Sequence, residues 1–195
     1  MLLNGWRSKL KRRFKLTTDS NHRYPVCSNH LNRNFTPKLL DEVWVSDITY
    51  IRTAAGWLYL TTIIDLYDRQ VIGWSLSTRM YADQTIIPAW KMAVSKREIT
   101  ESLLFHSDRG IQYCSDQYQY LLQKCNIKCS MTQNSDPYEN AVAERINGIL
   151  KQEFLIYDCK TFEDLAVLID ESVEIPDIDK EWKEKYALFL TDENL

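Results

Sequence analysis

Three consecutive runs of sequence decide the fold: VWVSDITYI (residues 43–51), WLYLTTIIDLYD (residues 57–68) and QVIGWSLS (residues 70–77). Each run is rich in β-branched and aromatic residues, which favour strands. Only short stretches join the runs, and residues 54–56 (Ala-Ala-Gly) are typical of a turn. Strands that follow one another through short turns predict an antiparallel meander.

Beyond residue 77 the hydrophobic pattern alternates between helical and strand periods. It predicts a helix over residues 82–97, kinked at Pro88, and a second helix over residues 115–126, capped by Ser115 or Asp116. It also predicts strands over residues 102–108 and 127–132, with a further helix after the second strand. The sequence therefore predicts an α/β fold. Its mixed five-stranded sheet combines a three-strand antiparallel meander with two further strands, and helices flank the sheet.

Length and composition indicate one globular core, since the chain has 195 residues of which 45% are hydrophobic. No apolar run approaches the ~20 residues that span a bilayer, so we expect no membrane association. The first residues, MLLNGWRSKLKRR, lack the pattern of a signal peptide. Five scattered cysteines, an odd number, suit free thiols in a reducing compartment, and we therefore expect a cytoplasmic protein.

Charge is distributed unevenly along the chain. The net charge is −3, and residues 158–195 alone carry −8, which leaves +5 for residues 1–157. The run RSKLKRRFK, with Arg12 and Arg13 at its centre, holds six basic side chains and no acid. Such an arm can neutralise DNA phosphates, although a solvated leader would have the same composition. We divide the chain into a basic arm or linker (1–40), a core (41–175) and an acidic tail (176–195).

Two acids fall where a purely structural role is hard to assign. Asp47 alternates with Val45 and Thr49 onto the more apolar face of the first strand, where a carboxylate needs a cation, a salt bridge or a metal as its partner. Asp108 directly follows an apolar strand, at the kind of strand end where ligand groups gather in α/β sheets. The competing interpretations are a salt bridge for Asp47 and a turn-forming role for Asp108.

A third acid stands out in SDPYENAVAERINGILKQEF (residues 135–154). Asp136 and Glu139 resemble a capping box around a Pro at the first helical position, which explains both acids structurally. At about 100° per residue, Tyr138, Val142, Ile146, Ile149 and Leu150 form the core arc of this helix. Asn140, Glu144 and Lys151 form a polar stripe on the opposite face, which indicates either solvent exposure or a site for a charged ligand.

Asp47, Asp108 and Glu144 together predict a site for Mg²⁺ or Mn²⁺, because these hard cations prefer carboxylate oxygens. Two such ions can clamp the attacking and leaving oxygens of a phosphodiester, so that no side chain has to act as general base. We therefore expect two ions at this site.

The same residues carry a resemblance to a known family. Asp47, Asp108, thirty-five intervening residues and then Glu144 resemble the DDE triad of insertion-sequence transposases related to retroviral integrases. The surrounding blocks are similar to that family's signature blocks, and the resemblance covers residues 17–174. These blocks are WVSDITYI, GWLYLTTIIDLYDRQVIGWSLS, LLFHSDRGIQYCS and SMTQNSDPYENAVAERINGILKQEF.

The resemblance implies a ribonuclease-H-like fold and divalent metal held by Asp47, Asp108 and Glu144. It implies cleavage of DNA strands at element ends and attack of the freed 3′-hydroxyl on a new phosphodiester. It also implies that Lys151 contacts DNA, with Asn140 beside the site. The expected partners are double-stranded DNA, as element ends and target, and further copies of the chain in a DNA complex.

The chain departs from the family pattern at both ends. Only the basic stretch NGWRSKLKRRFK stands where the family has a helix-turn-helix region, and residues 176–195 match nothing in the pattern. We therefore expect a truncated copy. A catalytically inactive DNA-binding or partner-binding remnant and a hydrolytic ribonuclease-H-like nuclease are the alternatives to an active transposase domain.

Overall fold

The computed structural model describes residues 24–53, 56–133, 136–153, 159 and 161–175, apart from the side chains of Pro137 and Glu153. The described part is built on a single mixed sheet with helices on both faces. In chain order the elements are β1 (Val43–Thr53), β2 (Gly56–Asp65), β3 (Val71–Ser77), α1 (Ile86–Lys96), β4 (Leu104–Ser107), α2 (Asp116–Lys124), β5 (Lys128–Met131), α3 (Ala141–Glu153) and α4 (Phe162–Val173). A 3₁₀ turn, Pro137–Glu139, precedes α3.

The sheet has the strand order β3-β2-β1-β4-β5. β1, β2 and β3 form the predicted antiparallel meander, with Asp47 opposite Thr62 and Tyr50 opposite Tyr59. β4 pairs with β1 in parallel, and β5 pairs with β4 in parallel. β1 is thus the central strand, and the ribonuclease-H-like arrangement expected from the sequence is confirmed.

The two faces of the sheet carry separate hydrophobic cores. On one face α3 and α4 pack against Val45, Ile51 and Leu60. On the other face α1 and α2 surround an aromatic cluster in which Trp90 contacts both Trp44 and Phe105 at ring-centroid distances of 5.8 and 5.7 Å. Alternate residues of β1 supply the two cores, because successive side chains of a strand point to opposite faces.

Helix α1 differs from its prediction. It begins at Ile86 instead of residue 82, and Pro88 therefore lies in its first turn. A first-turn backbone N–H has no partner within the helix, so proline is tolerated there and the predicted kink is wrong. Helix α2 agrees with its prediction, since the Ser115 hydroxyl caps it by accepting a hydrogen bond from the Tyr118 N–H.

Residues 24–40 contain no helix or strand, yet they pack onto the sheet. Leu31 is buried in the core on the α3 side, and the N–H groups of His30 and Leu31 both donate to Ser130 Oγ on β5. Part of the predicted arm therefore belongs to the core. Residues 1–23 and 176–195 lie outside the described residues, so the interpretations of the basic run with Arg12 and Arg13 and of the acidic tail stay predictions.

The expectation of free thiols throughout is wrong. Cys27 and Cys129 form a disulfide, with their Cα atoms 5.9 Å apart, while Cys114, Cys125 and Cys159 are free. The two bonded cysteines are 102 residues apart in sequence. They meet because the segment after residue 24 runs beside β5, a tertiary contact that cysteine spacing does not reveal.

Candidate active site

Asp47 lies in the middle of β1, on the face that α3 covers. Its Oδ2 accepts a hydrogen bond from Asn147 Nδ2 at 2.9 Å. Asn147 is itself fixed, because its Oδ1 accepts from the hydroxyl of Thr62, the residue paired with Asp47 across the strands. Burial raises the pKa of Asp47, and the bond from Asn147 opposes that rise. One buried amide thus orients the central carboxylate of the sheet.

Asp108 directly follows β4, the parallel neighbour of β1. Its Oδ1 accepts from the Gly110 N–H at 2.9 Å, so the predicted turn-forming role is also present. A Cβ on Gly110 would stand 3.0 Å from this oxygen. Glycine therefore lets the backbone approach the carboxylate closely, and the turn holds Asp108 at the strand end.

Glu144 lies in the first turn of α3, which begins at Ala141 and not at Pro137. The predicted capping box is wrong, because Asp136 accepts from the Tyr138 N–H within the 3₁₀ turn and Glu139 accepts from the Gln133 N–H. Tyr138 is 71% exposed and does not belong to the predicted core arc. The remainder of that arc is placed correctly, with Ile146, Ile149 and Leu150 buried.

The three carboxylates interact through their charges. The pKa of Glu144 is raised to about 7, by partial burial and then by Asp47, Asp108 and Asp136. Repulsion from the neighbouring carboxylates thus adds to the effect of partial burial. Within the described ranges, no three His, Cys, Asp or Glu side chains stand close enough together to hold a metal ion. The fold brings these acids near enough for their charges to interact, but not near enough to form a complete set of metal ligands.

Lys151 and Asn140 are placed differently from the predicted stripe opposite the core. Lys151 Nζ donates to Thr49 Oγ1 at 2.6 Å, on the sheet side of α3, where the charges of Asp47 and Glu144 oppose the lowering of its pKa by burial. The side chain of Asn140 is only 3% exposed, and its Nδ2 donates to the Ser46 carbonyl. The prediction that all three residues lie on the face opposite the core is therefore wrong. Asn140 is buried and its side chain hydrogen-bonds the backbone of β1.

Asn147 is the site residue that sequence reasoning missed. It lies three residues after Glu144 and four before Lys151, so all three residues share one edge of α3. Its side chain is 2% exposed and bonds both β1 and β2. The sequence did contain a signal for Asn147, because its helical position puts it on the same edge of α3 as Glu144 and Lys151, two predicted site residues.

His106 joins three parts of the chain beneath the site. Its Nε2 lies 3.0 Å from the Glu139 carbonyl, and its Nδ1 lies 2.9 Å from Ser130 Oγ. A carbonyl only accepts hydrogen bonds, so Nε2 carries the proton and Nδ1 accepts from the serine hydroxyl. The ring is fully buried, and it ties β4 to β5 and to the turn that leads into α3.

The folded protein should lose stability in weak acid because of His106. Burial lowers its pKa from 6.5 to about 4, so the unfolded chain binds a proton first as the pH falls below about 6.5. We expect His106 to destabilise the fold by about 2 kcal/mol between pH 7 and pH 5. Urea unfolding of the wild type and His106→Gln at both pH values measures this. Carboxylates with raised pKa act in the opposite direction in both proteins, so equal pH slopes would contradict the assignment.

Comparison with known proteins places this geometry in a family. Residues 40–137 match the integrase core domain family, a range that includes Asp47 and Asp108 and ends before Glu144. The transposase InsF of insertion sequence IS3A from Escherichia coli K12 is 42% identical over 149 residues, 76% of this chain. The chain belongs to the insertion-sequence transposases with an integrase core domain.

A second relative of this transposase chain is the uncharacterized 31 kDa protein of insertion element IS600 from Shigella sonnei. It is 39% identical over 170 residues, which cover 87% of this chain and 62% of the relative. The match to InsF covers 51% of InsF. The transposase chain therefore spans about half to three-fifths of the length of these two relatives.

Solved retroviral structures share the fold of the transposase chain. One match is the simian T-cell lymphotropic virus intasome in complex with the PP2A regulatory subunit B56 gamma. The match covers 77% of this chain and 53% of the matched intasome chain, with a TM-score of 0.58 and 19% sequence identity. The HTLV-2 integrase catalytic core domain in complex with magnesium, in its trimeric form, matches 68% of the chain and 82% of its own with a TM-score of 0.55 at 24% identity. Over the described residues, no helix is long and apolar enough to cross a membrane.

Proposed function

We propose that this chain is the catalytic domain of a transposase that cleaves DNA strands at element ends and joins the freed 3′-hydroxyl to a target phosphodiester. The observation that carries the proposal is the grouping of three carboxylates. Asp47, Asp108 and Glu144 come from β1, the end of β4 and α3, and their charges act on one another. An acidic centre beside parallel strand ends suits cation-dependent chemistry on phosphates.

Asp47, Asp108 and Glu144 are the residues that would hold Mg²⁺ or Mn²⁺, and we propose two ions. The donor set is made of carboxylate oxygens alone, which these hard cations prefer. The raised pKa of Glu144 supports this fit, because a cation would relieve the repulsion among the three acids. When bound, the metal would activate the attacking hydroxyl and stabilise the leaving oxygen. The side chains must draw closer together to complete the ligand set.

The remaining site residues have positioning tasks in this proposal. Asn147 holds the Asp47 carboxylate by one hydrogen bond, and the Gly110 N–H holds Asp108 by another. Lys151 places a cation near Asp47 and Glu144, where it can meet a DNA phosphate. The basic run containing Arg12 and Arg13 would add phosphate contacts that are independent of sequence.

The proposed partners are double-stranded DNA, as element ends and target, and further copies of the chain assembled on that DNA. The family supports the first partner, and the intasome match is the support for the second. We also propose a cytoplasmic location, where the chain would meet chromosomal DNA; this rests on the family and not on the cysteines, since Cys27 and Cys129 form a disulfide.

The test incubates the purified full chain with Mn²⁺ and labelled DNA that carries the element's end sequences. Joined products would support the transposase proposal. Nicks without joining would favour the hydrolytic nuclease, and no metal-dependent product from a folded chain would favour the inactive remnant. Circular dichroism on the same preparation establishes that the chain is folded.

Asn147 gives a graded test of the site. Asn147→Ala removes the bond to Asp47 and leaves the Thr62 hydroxyl without its acceptor. We expect joining to fall about 10- to 100-fold, the usual effect of losing a residue that orients a metal ligand. The Mn²⁺ concentration for half-maximal activity should rise. Gln152→Ala, an exposed position on the same helix, is the matched control and should stay near wild type. Equal activity of the two variants would refute the role of Asn147.

A further inference from the structure

Three aromatic rings form a continuous surface near the tip of the β1–β2 hairpin. Tyr50 contacts Trp57 and Tyr59 edge-on, with ring centroids 6.3 and 5.2 Å apart. Trp57 is nevertheless 52% exposed, while Tyr50 and Tyr59 are half-buried. This aromatic surface therefore leaves apolar ring area exposed to solvent.

The aromatic surface is connected to the loop that follows Asp108. The Tyr50 hydroxyl donates to Met80 Sδ at 3.2 Å, and Gln112 Nε2 donates to the Met80 carbonyl at 2.8 Å. Tyr50 lies three residues after Asp47 on β1, about 10 Å along the strand, and its side chain points to the opposite face of the sheet from that of Asp47. Burial raises the pKa of Tyr50, and the charges of Tyr59, Asp108 and Asp47 add to that rise. The aromatic surface is therefore linked to the candidate active site through the loop that follows Asp108.

A cationic side chain stands beside the rings. Arg52 is exposed and pairs with Trp57 across the strands. Paired residues of neighbouring strands point to the same face, so the guanidinium and the indole are presented together. Aromatic faces beside a cation fit a nucleic-acid strand whose bases stack on the rings while its phosphates meet the charge.

We propose that Tyr50, Trp57 and Tyr59, together with Arg52, form a stacking site for unpaired nucleobases of a DNA strand that approaches the carboxylates. The proposal rests on the proposed function, since it assigns DNA to the same site. Fully paired DNA hides its base faces, so the stacking site would act on frayed ends or distorted target. It would hold the strand that leads to the reacting phosphodiester and set its register.

Binding to a single-stranded oligonucleotide tests the stacking site without requiring catalysis. The full chain is titrated in EDTA against a labelled oligo(dT) strand of about 15 nucleotides and, separately, against a duplex of that strand. We expect Trp57→Ala to weaken binding of the single strand about 5- to 100-fold, as loss of one stacking partner does. Trp57→Phe should restore most of the affinity. Arg52→Ala should weaken single strand and duplex alike, because it removes a phosphate contact.

Tyr120→Ala is the control, since Tyr120 is 63% exposed on α2, which packs against β5 at the far edge of the sheet. It should leave both affinities unchanged. A 2-aminopurine base in the strand should lose fluorescence on wild-type protein and keep it on Trp57→Ala. The proposal is overturned if the wild type does not bind the single strand, or if Trp57→Ala binds it normally or weakens the duplex equally. Failure of the Mn²⁺ joining assay would count against the proposed function alone, because binding in EDTA needs no metal.

Discussion

Glu144→Gln should abolish DNA joining while the protein stays folded, with a fall of at least about 10³-fold. The substitution keeps the size of the side chain and removes the charge that a divalent cation needs. Glu144 is exposed in the first turn of α3. Removing its charge also removes repulsion with Asp47 and Asp108, so stability should hold or rise. Joining assays in Mn²⁺ and thermal unfolding together measure both effects.

Glu139→Gln is the matched control, since it makes the same chemical change five residues earlier. Glu139 is 7% exposed and accepts from the Gln133 N–H, so its charge serves the turn before α3. The amide oxygen of glutamine can still accept that bond, and we expect a loss of about 1 kcal/mol in stability with activity near wild type. Equal loss of joining in both variants, with both folded, would show that the roles of the two acids are assigned wrongly.

The fold could be predicted from sequence because local patterns agree with tertiary structure over most of the core. The meander runs have strand composition throughout, and the two parallel strands are short apolar runs between helical segments. Even so, the observed start of a helix differs from the predicted start where turn residues have a helical pattern, as in the residues before Ile86. Local periodicity fixes the kind of element better than its first residue.

Asp47 and Glu144 could be singled out because each breaks a local pattern, Asp47 as an acid among apolar residues and Glu144 as an acid that capping does not explain. What supports them could not be predicted in the same way. The bond from Asn147 to Asp47 spans 100 residues, and the bond from Lys151 to Thr49 spans 102. Helical position places these side chains on one edge of α3, but only the packing of α3 on β1 shows that the edge faces the sheet.

Residues 24–40 also make long-range contacts that could not be predicted from local sequence. The segment has the composition of a linker, and its polar residues give no periodic signal. Its attachment depends on single residues, Leu31 in the core and Cys27 bonded to Cys129. A segment held by isolated long-range contacts has no pattern that local sequence analysis can detect.

Gly73→Ala should lower the free energy of unfolding by about 3 kcal/mol, because β3 and α1 touch at this position. A Cβ on Gly73 would stand 2.3 Å from the Ala89 carbonyl oxygen and 2.9 Å from both the N and the Cβ of Ala93. The obstacle is the backbone of a buried helix, which has no flexible side chain to move aside. Relief requires α1 to shift outward, and that shift would loosen the cluster around Trp90.

Gly148→Ala makes the identical change in α3 and should have the opposite sign. A Cβ there meets nothing within 4 Å, and alanine is favoured over glycine inside a helix by about 1 kcal/mol. Thermal unfolding should therefore place Gly73→Ala roughly 6 to 12 °C below the wild type and Gly148→Ala a few degrees above it. Similar shifts in both variants would mean that backbone propensity, and not contact between β3 and α1, governs Gly73. Opposite shifts would show that this glycine is required because the strand and the helix are too close for any side chain.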